Sequence, residues 1–135
     1  MGRRGREALS IAYLDTHVAV WLHDGLVEKL TLSAKDAIEA SILLISPMAY
    51  LEFSYLQQRG RIRLPAQQLY TNLHISFGVT LCNQNFPPIA AAATELLWTN
   101  DPFDRIIVAQ SQCSPNSCLI TADTLIRQHY PRAIW

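Results

Sequence analysis

Short apolar runs alternate with stretches of helical spacing along the chain, and Gly, Pro or Asp punctuates the joins. Ile11 to Leu14 reads as a buried strand, followed by a helix through Val18, Trp21 and Leu22 that breaks at Asp24-Gly25. Ser33, with Asp36 three residues on, predicts an N-cap and a helix to about Ala40. A second buried strand covers Ile42 to Ser46. Pro47 then opens a helix that places Met48, Leu51, Tyr55 and Leu56 on one stripe, with Glu52 at its edge, and that stops at Arg59-Gly60.

The second half repeats the scheme. A helix is expected from Pro65 to about His74, a strand from Phe77 to Leu81, and an Ala-rich helix from Pro87-Pro88 through Trp98. Asp101 fits an N-cap with Pro102 in the first helical position, ahead of Phe103, Ile106, Ile107 and Gln110. Cys118 to Thr121 predicts a strand ending near Asp123, then a helix to about Tyr130 and an edge strand at Ala133 to Trp135. Strands separated by helices imply an α/β fold, a three-layer α/β/α sandwich on a small parallel sheet, whose ligand site lies outside the carboxyl ends of the strands. Residues 10–135 form one expected domain behind a flexible tail over 1–9.

Acidic residues punctuate this pattern where solvation alone explains them poorly. Asp15 follows the first strand, Glu52 sits among Tyr50, Leu51 and Phe53, Asp104 precedes Arg105-Ile-Ile-Val, and Asp123 follows Leu119-Ile-Thr-Ala. A charge beside an apolar element is costly unless paired or bound to a cation, and few basic residues are adjacent to these four. Oxygen-rich sites select hard cations, Mg2+ or Mn2+, and a cation held by Asp15, Glu52, Asp104 and Asp123 suits phosphodiester hydrolysis. Helix capping and the helix dipole account for Asp101 and Asp104 equally well by themselves. Thr16 and Thr121 can cap helices, hydrogen-bond the acids, or both.

Composition narrows the partners only modestly. The 135 residues carry 11 basic and 11 acidic side chains, so overall charge gives no sign of a nucleic-acid partner. Distribution says more, because arginine dominates and groups as Arg59, Arg61 and Arg63, either a phosphate-binding surface or a solvated turn. Cys82, Cys113 and Cys118 form no Cys-x-x-Cys pair and read as reduced structural thiols of a cytoplasmic protein. The apolar run behind the N-terminal arginines is too short for a secretory signal, and no stretch is long enough to span a membrane.

Competing phosphate chemistries lack their residues. His17 stands where a haloacid-dehalogenase-like phosphatase wants its second acid, no lysine follows Lys35 for a receiver domain, and neither a P-loop nor Gly-x-Gly-x-x-Gly occurs. His17 itself reads as a helix-start residue rather than a substrate contact, and Trp21, Trp98 and Trp135 as core or dimer-contact residues rather than base-stacking platforms.

The chain resembles the PIN domain family, and within it the VapC-type toxins of toxin–antitoxin pairs. The resemblance rests on Tyr13-Leu-Asp-Thr-His17 with Trp21-Leu22, on the acid of Tyr50-Leu-Glu52, on the block Asp101 to Gln110, and on Leu119-Ile-Thr-Ala-Asp123 with Ile134-Trp135. It implies an Mg2+- or Mn2+-dependent endoribonuclease with Asp15, Glu52, Asp104 and Asp123 as the acidic quartet and Asp101 as an auxiliary acid. It also implies a homodimer neutralised by a small VapB-like antitoxin. Arg59, Arg61, Arg63 and Arg105 are the candidate RNA contacts. A non-catalytic metal-stabilised module that binds RNA or protein, and a related nuclease acting on structured DNA, are the alternatives.

Overall fold

The computed structural model describes residues 10–135. The tail expected over residues 1–9 lies outside the described residues. Five strands form one sheet: β1 (Ser10–Leu14), β2 (Ser41–Ile45), β3 (Thr80–Leu81), β4 (Ser117–Ile120) and β5 (Ala133–Ile134), in the order β3-β2-β1-β4-β5. All four pairings are parallel, with Ala12 opposite Leu43 on one side and Cys118 on the other. Ala12, Tyr13 and Leu14 are buried, as the central strand of a two-sided parallel sheet requires.

Among the described residues seven α-helices connect these strands: α1 (Thr16–His23), α2 (Leu32–Ala40), α3 (Pro47–Gln58), α4 (Ala66–Phe77), α5 (Phe86–Ala93), α6 (Pro102–Gln112) and α7 (Thr124–His129). Helix α2 packs on β1, β2 and β5, α6 packs on β4, and α3 lies among α1, α4 and α6. The architecture is the α/β sandwich the pattern predicts. Fully buried side chains such as Tyr13, Leu14, Phe53, Ile107 and Leu119 form its core, each contributing roughly 1.5–3 kcal/mol.

Start signals carry much of the local order. The Ser46 hydroxyl accepts from the Met48 amide at 2.9 Å, with Pro47 first in α3, and Asp101 accepts from the Phe103 amide at 2.8 Å, with Pro102 first in α6. Several expectations need correction. Thr31, not Ser33, caps α2, accepting from the Ala34 amide at 3.1 Å. Helix α4 runs on to Phe77 and closes at Gly78, whose φ of 71° suits glycine, so β3 shrinks to Thr80–Leu81.

The Ala-rich helix ends at Ala93, not Trp98; the Thr94 hydroxyl donates to the Ala91 carbonyl at 2.6 Å as the chain turns out of the helix. On α3 the buried stripe is Ala49, Phe53 and Leu56, while Leu51 and Tyr55 are 45% and 40% exposed. The helix is wedged between other helices, so it buries the face where small Ala49 permits close approach and Phe53 fills the space between them. The tryptophans Trp21, Trp98 and Trp135 are partly buried and pack against the core, with Trp98 stacked on His129 at 5.1 Å.

Candidate functional site

Chain order decides where the strand ends open. From β1 the chain builds β2 and β3 on one side, then returns through α5 and α6 to place β4 on the other side of β1. The connections diverge around β1, and a crevice at such a switch point is the usual ligand site of an open parallel sheet. A pocket of about 280 Å³ lies there, lined by Asp15, His17, Val18, Trp21, Glu52, Asp101, Asp104, Ala122 and Asp123.

Asp15 is the first residue beyond β1. Its amide donates to the Ile120 carbonyl at 3.0 Å, fastening it to the end of β4. One carboxylate oxygen accepts from the Thr16 amide at 2.9 Å and the other from the Thr121 hydroxyl at 2.6 Å. Thr121 Oγ1 in turn accepts from the Asp123 amide at 3.0 Å, so one buried hydroxyl aligns the acids that follow β1 and β4. The Thr16 hydroxyl donates to Glu52 Oε1, joining the start of α1 to the middle of α3. Both threonines therefore hold pocket acids in place.

Asp123 and Asp101 are exposed and cap α7 and α6, each accepting through one oxygen, from Ile126 N at 2.9 Å and Phe103 N at 2.8 Å. The capping expected of Asp101 holds, and Asp123 does the same for α7. Each cap also brings its carboxylate to the pocket rim. Asp104, in the first turn of α6, accepts no hydrogen bond from the described residues.

Burial and mutual repulsion set the electrostatics. Burial raises Asp15 above the ordinary carboxylate range, opposed by Thr121 and the Thr16 amide. Glu52 is raised by burial and by the charge of Asp15 and Asp101, against the Thr16 hydrogen bond and the nearby His17. Asp104 is pushed up to about 8, by burial first and then by Asp101, Asp15, Asp123 and Glu52. The dipole of α6 favours its charge by only about 0.3–1 kcal/mol, and the neighbouring acids outweigh it. Among the described residues no Lys or Arg forms an ion pair with any pocket acid.

A site so short of positive charge fits a divalent cation. The donors are all carboxylate oxygens, the chemistry of Mg2+ or Mn2+. Among the described residues no three His, Cys, Asp or Glu side chains close into a complete ligand set. Mg2+ takes one or two carboxylates directly and keeps several waters, so an ion at this pocket would be held in part through water.

The remaining candidates are dispersed. Arg61 and Arg63 line a separate cavity of about 410 Å³ with His23 and Asp24, which shares no lining residue with the acidic pocket. Arg105 turns away to donate from Nε to the Thr99 carbonyl at 2.8 Å. Arg59 is exposed at the end of α3, the helix that carries Glu52. The sequence favours a helix start over a substrate contact for His17 and a core or dimer-contact role for Trp21, yet both line the pocket. Both lie on α1 just after Asp15 at helical spacing, a signal that could have placed them beside it.

Fold and pocket together define an α/β domain with a carboxylate site suited to a divalent metal. Residues 12–130 match the PIN domain family, and the chain belongs to it; its members are generally metal-dependent nucleases. A comparison with curated proteins gives no match. No helix among the described residues is long and apolar enough to cross a membrane.

Proposed function

We propose that this PIN domain is a metal-dependent endoribonuclease and the VapC-type toxin of a toxin–antitoxin pair. The observation that carries the nuclease reading is the gathering of Asp15, Glu52, Asp104 and Asp123 around one pocket with no Lys or Arg ion-pair partner among the described residues. Asp15, Asp104 and Asp123 would hold Mg2+ or Mn2+ directly or through water, with Asp101 as an auxiliary acid at the rim. When bound, the cation supplies Lewis acidity and a lowered pKa for water at the site.

The chain's own residues do the rest. Thr121 fixes Asp15 against the end of β4, and Thr16 fixes Glu52, which would help hold the metal or orient the attacking water toward phosphorus. Loss of the 3′ oxygen leaves a 5′-phosphate and a 3′-hydroxyl. The motif blocks at Tyr13 to His17 and Asp101 to Gln110 support the toxin role, and with it a cytoplasmic homodimer neutralised by a VapB-like antitoxin.

The test is incubation of purified wild type and Asp104→Asn with labelled total RNA in Mn2+, Mg2+ or EDTA, with the fragment ends mapped. Discrete metal-dependent cleavage lost in the variant is the expected result. Equal cleavage by a folded variant, or none by a folded, antitoxin-free wild type, would overturn it. A short upstream reading frame encoding a DNA-binding N-terminus and a disordered tail is the expected genomic neighbour of a toxin.

A further inference from the structure

Helix α3 does more than deliver Glu52. At 100° per residue, Glu52, Tyr55 and Arg59 fall on one face of this helix, rising about 1.5 Å per residue away from the pocket. Tyr55 is 40% exposed and lies one turn from Glu52, whose carboxylate lines the acidic pocket. Its ring meets Phe103 edge to face, with centroids 5.4 Å apart at 89°. Phe103 stands between the pocket-lining Asp101 and Asp104 in the first turn of α6, so the pair adjoins the pocket next to Glu52 without lining it. Beyond it Arg59 is exposed, with no ion-pair partner among the described residues.

An aromatic ring braced by a second ring, followed one turn on by a free guanidinium, has the order a nucleic-acid strand needs as it leaves a phosphodiester site: a π-face for a base, then a cation for a phosphate. We infer that Tyr55, braced by Phe103, and Arg59 form a subsite on α3 for single-stranded nucleic acid flanking the scissile phosphate. This rests on the nuclease reading of the acidic pocket. Paired bases present no free face to Tyr55, so the subsite selects unpaired strands. Arg61 and Arg63, on the wall of another cavity, play no part in it.

The test uses the full chain in Ca2+ and a fluorescein-labelled 15-nucleotide RNA, single-stranded or annealed to its complement. Tyr55→Ala is expected to weaken single-strand binding about tenfold, with Tyr55→Phe and Tyr55→Trp close to wild type, because stacking needs the ring and not the hydroxyl. Arg59→Ala should weaken binding and flatten its salt dependence. In Mn2+ with the single strand as substrate, Tyr55→Ala should raise KM more than it lowers kcat. Thermal melts confirm that each variant is folded.

Binding by folded Tyr55→Ala within twofold of wild type overturns the subsite. So does a shift of that variant from dimer to monomer with unchanged RNA affinity, which makes the patch a contact between copies. If wild type cleaves nothing in any metal but Tyr55→Ala still loses single-strand binding, the nuclease reading fails and the subsite stands.

Discussion

Replacing Asp104 by Asn should stabilise the metal-free fold while removing activity. The side chain accepts no hydrogen bond among the described residues and is surrounded by four other acids, so the amide forfeits no contact and removes a repelled charge. Burial and those neighbours raise the folded-state pKa from 3.8 to about 8. A raised folded pKa means that the native state holds a proton the unfolded chain has released. Asp104 therefore costs least below about pH 4, and its penalty grows as pH rises through the window up to about 8.

Every tenfold weakening of the acid on folding corresponds to about 1.4 kcal/mol, but the carboxyl still meets solvent, and screening reduces the penalty at pH 8 to about 1–2 kcal/mol. For a domain of this size that is roughly 3–8 °C in Tm. The assay is thermal unfolding of wild type and Asp104→Asn in EDTA from pH 4 to 8.5. The advantage of Asn should be small at pH 4 and largest at pH 8. A variant that melts with or below wild type at pH 8 refutes the electrostatic account of the pocket.

Three further outcomes are expected. Mn2+ at saturating concentration should raise the Tm of wild type by several degrees at pH 7.5 and that of Asp104→Asn much less, since a ligand stabilises the state that binds it; equal shifts would place the cation elsewhere. Asp101→Asn should stay within about 0.5 kcal/mol of wild type in urea unfolding because Asn caps as well as Asp, whereas Asp101→Ala should lose about 1 kcal/mol; cleavage by both should fall if the acid serves the metal, and a fall confined to Ala would leave only the cap. Thr121→Val keeps the shape but strips Asp15 of its 2.6 Å donor and the Asp123 amide of its acceptor, so a loss of about 1.5–3 kcal/mol is expected, and a urea midpoint like that of wild type would count against this coupling.

The sequence by itself determined the order of strands and helices and the turns between them, because those rest on local chemistry: apolar runs for the buried strands, Ser46-Pro47 and Asp101-Pro102 for helix starts. It also marked the acids, since Asp15 and Asp104 stand out from short local windows. What it lacked was the facing of elements with more than one neighbour. The spacing of α3 fits a stripe through Met48, Leu51 and Tyr55 as readily as one through Ala49, Phe53 and Leu56, and only packing among α1, α4 and α6 selects the second. That choice leaves Tyr55 partly exposed and brings Glu52 to the Thr16 hydroxyl.

Contacts between distant residues decided the rest. The bond from Thr121 to Asp15 spans 106 positions, and the placement of Arg61 and Arg63 depends on how the loop after α3 folds back on α1. Local chemistry specifies an element within a few residues, whereas a pocket is the meeting of several elements, and its geometry exists only once the sheet order has brought their ends together.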